Sequence, residues 1–171
     1  RLYEQACPIL VRELTGSTAE LTCWLDIGIL TMEYRTIADA RKLFEVALAR
    51  STAVLGAKNL WTLNARSMAA KAASIEGDEQ RAEALFSDNR AALADAPPTT
   101  PASQRGPIYF EEGAHYLRHA KQLARARTLL RRSTEEFLTA MAGFPEYDGE
   151  ARKVMQKAQP AFLATVAADW R

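Results

Sequence analysis

Cysteine is almost missing from this chain. Cys7 and Cys23 are the only two, too few for a disulfide-stapled scaffold or a four-thiolate zinc site. Charge of one sign is missing too. Lys and Arg total 22 against 21 Asp and Glu, so no whole-molecule field draws nucleic acid or a membrane surface. No apolar run approaches the roughly 18 residues of a membrane span, and no basic-then-apolar leader opens the sequence. Nothing alternates with period two for long enough to suggest a sheet, and no Gly-rich phosphate loop is present. What remains is a chain of 171 residues, 48% hydrophobic and 25% charged, which fits a folded protein rather than a disordered tail. It begins at Arg1 rather than Met, and in the middle of a repeat, which predicts a piece of something larger.

The repeat is visible in four segments that align without gaps: Arg1-Leu-Tyr-Glu-Gln-Ala6, Lys42-Leu-Phe-Glu-Val-Ala47, Ala84-Leu-Phe-Ser-Asp-Asn89 and Thr128-Leu-Leu-Arg-Arg-Ser133. Each continues with apolar residues on one helical stripe, as in Ala40, Leu43, Phe44, Ala47 and Leu48. A second helical run precedes each full copy. Breakers separate the runs: Thr15-Gly16-Ser17, Gly56, Gly77-Asp78, the Pro-rich stretch 96–107, and Gly143-Phe144-Pro145. The spacing predicts about eight helices, over 1–14, 18–35, 37–54, 59–76, 78–95, 104–121, 123–142 and 148–168. Ser103 is expected to cap the sixth, with Pro107 tolerated in its opening turn, and Pro160 to kink or split the last. The fold class is therefore all-α: an α-solenoid of tandem antiparallel helix hairpins forming one domain over 1–171. Its parts are a half repeat 1–16, repeats 17–58, 59–102 and 103–145, and a C-terminal helix 146–171.

Small residues recur where paired helices must touch: Gly28, Ala70 and Ala114 in the first helix of each pair, Ala40, Ala82 and Ala126 in the second. Trp24, Ile27, Gly28, Ala40, Phe44 and Ala47 together resemble a tetratricopeptide repeat (TPR) in order and spacing. Gly77, Ala82 and Phe86 extend the likeness to the second copy, and Phe110, Ala114, Ala126 and Leu130 to the third. Leu55-Gly-Ala-Lys-Asn-Leu-Trp-Thr-Leu63 looks like the inter-repeat junction of the longer, kinesin-light-chain-like variety. The core Tyr of the family is replaced by Thr31, Ala73 and Leu117, and its closing Pro is absent.

The resemblance implies a right-handed superhelix whose inner wall binds a peptide or helix of another protein. Its wall positions would be Thr22, Leu25, Ile29 and Met32, then Asn64, Met68 and Lys71, then Glu111, His115 and Arg118. One subclass clamps the carboxylate of chaperone tails. The matching positions here, Leu25, Ile29, Met68, Glu111 and His115, carry no cation, so this wall is expected not to be that clamp.

Other constellations compete with that reading. Glu111, His115 and His119 share a helical face and form a candidate zinc or copper site; the bland alternative is a solvated wall. Six cations between Arg118 and Arg132 with no acid among them could meet phosphates, yet a run over two helices points in different directions. Cys7 and Cys23 flank a turn near residue 16 and could lie level. Paired, they would suit a periplasmic or extracellular place; as two buried thiols, the commoner arrangement, they suit a cytoplasmic one. Trp24 is expected in the core, Trp61 at a contact surface, and Trp170 exposed near the chain end. No nucleophile, base and charge stabiliser come together, so a non-catalytic interaction module without cofactor is expected. By family analogy it would be the regulatory or scaffold region of a larger signalling protein of bacterial type, with a ligand- or metal-sensing domain as the alternative. Uncapped solenoid ends also favour self-association.

Overall fold

A computed structural model describes residues 7, 9, 11–13, 15–95, 100–119, 122–144, 146 and 148–170. Among them every regular element is helical: α1 Thr18–Tyr34, α2 Ile37–Leu55, α3 Leu60–Glu76, α4 Glu79–Ala94, α5 Ala102–His119, α6 Leu123–Ala142 and α7 Gly149–Asp169. Positions 7, 9 and 11–13 are helical as well; the rest of the helix expected over 1–14 lies outside the described residues. The sequence reading has one array over 1–171. In the structure the chain divides into two compact units, Arg1–Ala96 and Pro97–Arg171.

In the first unit, Ser17, Thr36, Asn59 and Asp78 each accept a first-turn amide with the side chain, which starts α1 to α4 where they start. Links of only a few residues then force the chain to reverse between helices. Phe44 and Phe86 are fully buried in a bed of alanines with Leu25 and Met68. Glycine is required at position 28, because a Cβ there would lie 2.7 Å from Phe44 Cδ1 and hold α1 off α2. The second pair keeps Ala70 and Phe86 in the core at the equivalent positions and differs about one turn away. Arg66 and Asn89 stand one repeat after Trp24 and Ala47, and both are buried. Arg66 donates to Asn89 Oδ1 at 3.0 Å and to the Ala57 carbonyl at 3.2 Å. Asn89 donates in turn to Ser67 Oγ and the Leu63 carbonyl. Burial alone pulls the Arg66 guanidinium below its ordinary pKa, with Asp88 opposing.

Glu20 closes the turn before α1. Its buried carboxylate accepts from Gly16 N at 2.6 Å, Trp24 Nε1 at 3.3 Å and Arg50 Nε at 2.9 Å. Desolvation pushes the carboxyl up, but these donors together outweigh it and hold the pKa below the usual value. A carboxyl depressed on folding stabilises fully above its unfolded pKa, and the stabilisation fades as pH falls through the folded one. Glu20→Gln is therefore expected to lose about 2 kcal/mol at neutral pH, by leaving Arg50 and two N–H groups underpaired. The difference from wild type should shrink in melts taken at progressively acid pH; a constant gap would show that the charge contributes nothing.

Two buried thiols are not what forms at Cys7 and Cys23. The two cysteines are joined as a disulfide with Cα atoms 5.6 Å apart, both buried. The expectation of thiols followed from their apolar positions, which the structure keeps; the level placement across the turn decides the pairing.

In the second unit α6 packs against α5, and α7 packs against both. Here the third repeat departs from the gapless alignment. The small residue receiving Leu130 is Gly113, not Ala114: a Cβ on Gly113 would lie 2.8 Å from Leu130 Cγ. Gly28 precedes Phe44 by one residue fewer than Gly113 precedes Leu130, so the third hairpin carries one extra residue between its contact points. Tyr109 and Tyr116 then take the places of Trp24 and Thr31, and both are buried. The core Tyr that the sequence reading replaced by Leu117 is thus Tyr116. Ser103 is not the cap of α5, which begins at Ala102; Pro107 stands inside the helix. The Gly106 carbonyl beside it accepts from Ser133 Oγ at 2.7 Å. Pro160 does not split α7, which runs unbroken from Gly149 to Asp169 with the ring at its exposed side.

Candidate functional site

The wall residues expected from the sequence fall into the two units, and each set is described within its own. On α1, Leu25 is only 4% exposed and belongs to the core with Met68 of α3. Ile29 and Met32 are half-buried, packed on that core with an edge outward, and Thr22 is half-buried. On α3, Asn64 is exposed and Lys71 half-buried. Two residues that the sequence reading left off the wall lie beside them: Trp61, 36% exposed, and Ile75, 39% exposed.

Trp61, Asn64, Met68, Lys71 and Ile75 follow one another at three- and four-residue steps and therefore form one stripe along α3. That spacing was the signal available beforehand. The cap at Asn59 sets the start of the stripe, its Oδ1 accepting from Trp61 N at 2.9 Å. Thr62 Oγ1, bonded to the Gly56 carbonyl at 2.8 Å, and Arg66, bonded to the Ala57 carbonyl, tie the preceding turn to α3. Helices α1 and α3 touch directly. Helix α1 thus presents the half-buried Ile29 and Met32, and α3, which it touches, presents the exposed Trp61 and Ile75 with Asn64 and Lys71 between them on its stripe.

The second unit treats its expected wall residues differently because of the register change. Rotating α5 by one residue, about 100°, turns His115 inward. It is 5% exposed, its ring 5.0 Å from that of Tyr116 and 4.8 Å from that of His119. Glu111 is half-buried and Arg118 exposed. Among the described residues no group of three or more His, Cys, Asp or Glu is placed to hold a metal ion, so Glu111, His115 and His119 do not assemble as the candidate triad. The burial of His115 is the physical reason.

The basic run disperses. The Arg125 guanidinium lies 4.3 Å from the Tyr116 ring centroid and 3.4 Å from buried Glu112, and Arg132 lies 4.5 Å from the Tyr109 centroid. Arg127 donates to the Ala168 carbonyl at 2.9 Å and Arg131 pairs with Asp169 at 3.0 Å. These cations bind the three helices of their own unit together rather than forming one phosphate-facing row.

No family model matches the sequence, and no curated protein is similar enough in sequence to match it. Solved structures do match its fold. BtubC (BKLC) from P. vanneervenii aligns with a TM-score of 0.61 at 15% identity, over 98% of this chain and 69% of that one. A Podosopora anserina protein with nearly identical TPR-like repeats, described as a kinesin light chain, aligns with a TM-score of 0.59 at 18% identity, over 98% of this chain and 84% of that one.

Proposed function

We propose, from the all-α, TPR-like solenoid fold that this chain shares with those structures, that it is a non-catalytic protein-interaction module. Its docking surface is the strip shared by α1 and α3. The observation that carries the reading is the exposure of Trp61 and Ile75 on one stripe of α3, the helix that α1 with its half-buried Ile29 and Met32 touches. Large apolar side chains left on a rigid helix face supply anchor points at little entropic cost, and a few such anchors carry most of the energy of a peptide interface. Met32 can repack around different side chains. A partner segment offering apolar residues at helical or extended spacing fits this surface. Among the described residues no helix is long and apolar enough to cross a membrane. The Cys7–Cys23 disulfide supports work in an oxidising compartment, in place of the cytoplasm that two thiols would suit. A regulatory or scaffold role in a larger signalling protein agrees with a surface of this kind.

The test is a selection of random peptides displayed against the oxidised chain. Binders should carry apolar anchors, and Trp61→Glu and Ile75→Glu should each weaken them at least about 30-fold, a hot-spot effect, with the melting curve unchanged. Binders indifferent to both substitutions would remove α1 and α3 as the docking surface.

A further inference from the structure

We propose that Arg66 is the positioning residue of the docking surface: it clamps the turn 56–59 onto α3 and α4 and so fixes the place of Trp61. The inference rests on Trp61 as a binding anchor and adds what holds that anchor still. Each residue of the turn engages a side chain or supplies one. The Gly56 carbonyl accepts from Thr62 Oγ1 at 2.8 Å, the Ala57 carbonyl from Arg66 Nη2 at 3.2 Å, and Asn59 Oδ1 from Trp61 N at 2.9 Å. Lys58 pairs with Asp95 at the end of α4, but both side chains are exposed and such a pair contributes little. Thr62 and Arg66 are buried, so theirs are the bonds that water does not replace. Arg66 uses its fork to span two elements: one arm ends on the turn, and the other, Nη1, on Asn89 Oδ1 of α4 at 3.0 Å.

The first repeat ties down its own preceding turn from the same two positions. Glu20 and Trp24 stand one repeat before Thr62 and Arg66. The Glu20 carboxylate accepts from Gly16 N at 2.6 Å and from Trp24 Nε1 at 3.3 Å. The positions keep their task while the chemistry changes from carboxylate and indole to hydroxyl and guanidinium. The opening turn of a helix is where fraying begins, because its first amides lack intrahelical acceptors. Trp61 is the second residue of α3, so its indole follows whatever the turn does. An anchor that is loose before binding must be ordered during it, which lowers affinity without removing any contact.

The test is Arg66→Met combined with Asn89→Leu. It removes both partners of the buried pair, and Ser67 Oγ can turn to the Leu63 carbonyl four residues back, so the fold and melting curve should stay close to wild type. Hydrogen exchange of the oxidised chain, read by mass spectrometry, should quicken at least about fivefold over 57–63 and stay unchanged in α1 and α2. Peptides selected by display against the wild-type chain should bind at least about fivefold more weakly. Arg66→Lys keeps the charge but replaces the two-armed fork by one compact head group, and should show both changes in smaller measure even where the double variant fails to fold. A role confined to stability would lower the melting temperature, quicken exchange evenly along α3 and α4, and leave the affinity at its wild-type value. That pattern overturns the proposal, as does unchanged exchange over 57–63. Peptides indifferent to Trp61→Glu overturn it through its premise, by a measurement that leaves Arg66 untouched.

Discussion

Leu25→Glu is expected to unfold the first unit rather than to block a binding surface. At 4% exposure the new carboxylate would sit among Phe44, Ala40 and Met68 with no cation of the core cluster to meet it. Burying an unpaired charge costs several kcal/mol, and about 4 kcal/mol is a large part of the 5–15 kcal/mol that holds a domain folded. Far-UV circular dichroism and thermal melts should show lost helicity or a strongly lowered transition. Leu25→Ala, which leaves only a cavity, should cost about 2–5 kcal/mol and keep the fold. Trp61→Glu should change stability by no more than about 0.5 kcal/mol, because the indole already faces water on one side. A Leu25→Glu protein that melts like wild type would mean that Leu25 lies on the surface.

The second large effect belongs to Cys7 and Cys23. Their bond closes a loop of sequence separation 16, a length for which loss of the cross-link destabilises by about 3 kcal/mol. Urea titration with and without dithiothreitol should show that loss, and the Cys7→Ser, Cys23→Ser double variant should match the reduced wild type while ignoring the reductant. Alkylation of the denatured, non-reduced chain should label neither sulfur. Stoichiometric labelling of two thiols would refute the pairing and return the oxidising-compartment reading to the cytoplasmic one.

The first repeat was legible because its key residues are large, small and correctly spaced: Trp24, Gly28, Ala40, Phe44 and Ala47 have few arrangements other than a close-packed hairpin. The third was misread by one residue because Gly113 and Ala114 are both small and adjacent, so composition does not choose between them. Spacing does: Tyr109 precedes Gly113 as Trp24 precedes Gly28, and Tyr116 follows it by three. One residue on a helix is about 100°, enough to exchange core for surface, which is why His115 moved inside while Arg118 stayed outside. Wall residues were harder to find than core residues for a related reason. Leu25 and Ile29 are one turn apart and nearly aligned, and the tilt of the neighbouring helix, absent from any single-helix pattern, decides which of them is covered.

The buried Arg66–Asn89 pair bears on how such a chain avoids misassembly. Like-shaped hairpins invite exchange, since a segment from one copy can dock in the seat meant for another. Were α3 to take the seat of α1 against α2, the guanidinium would face Ala47 where it now meets an amide, and would be stranded in an oily slot. The polar lock thus gives the middle hairpin an address of its own, so that only the intended strand of sequence can fill it.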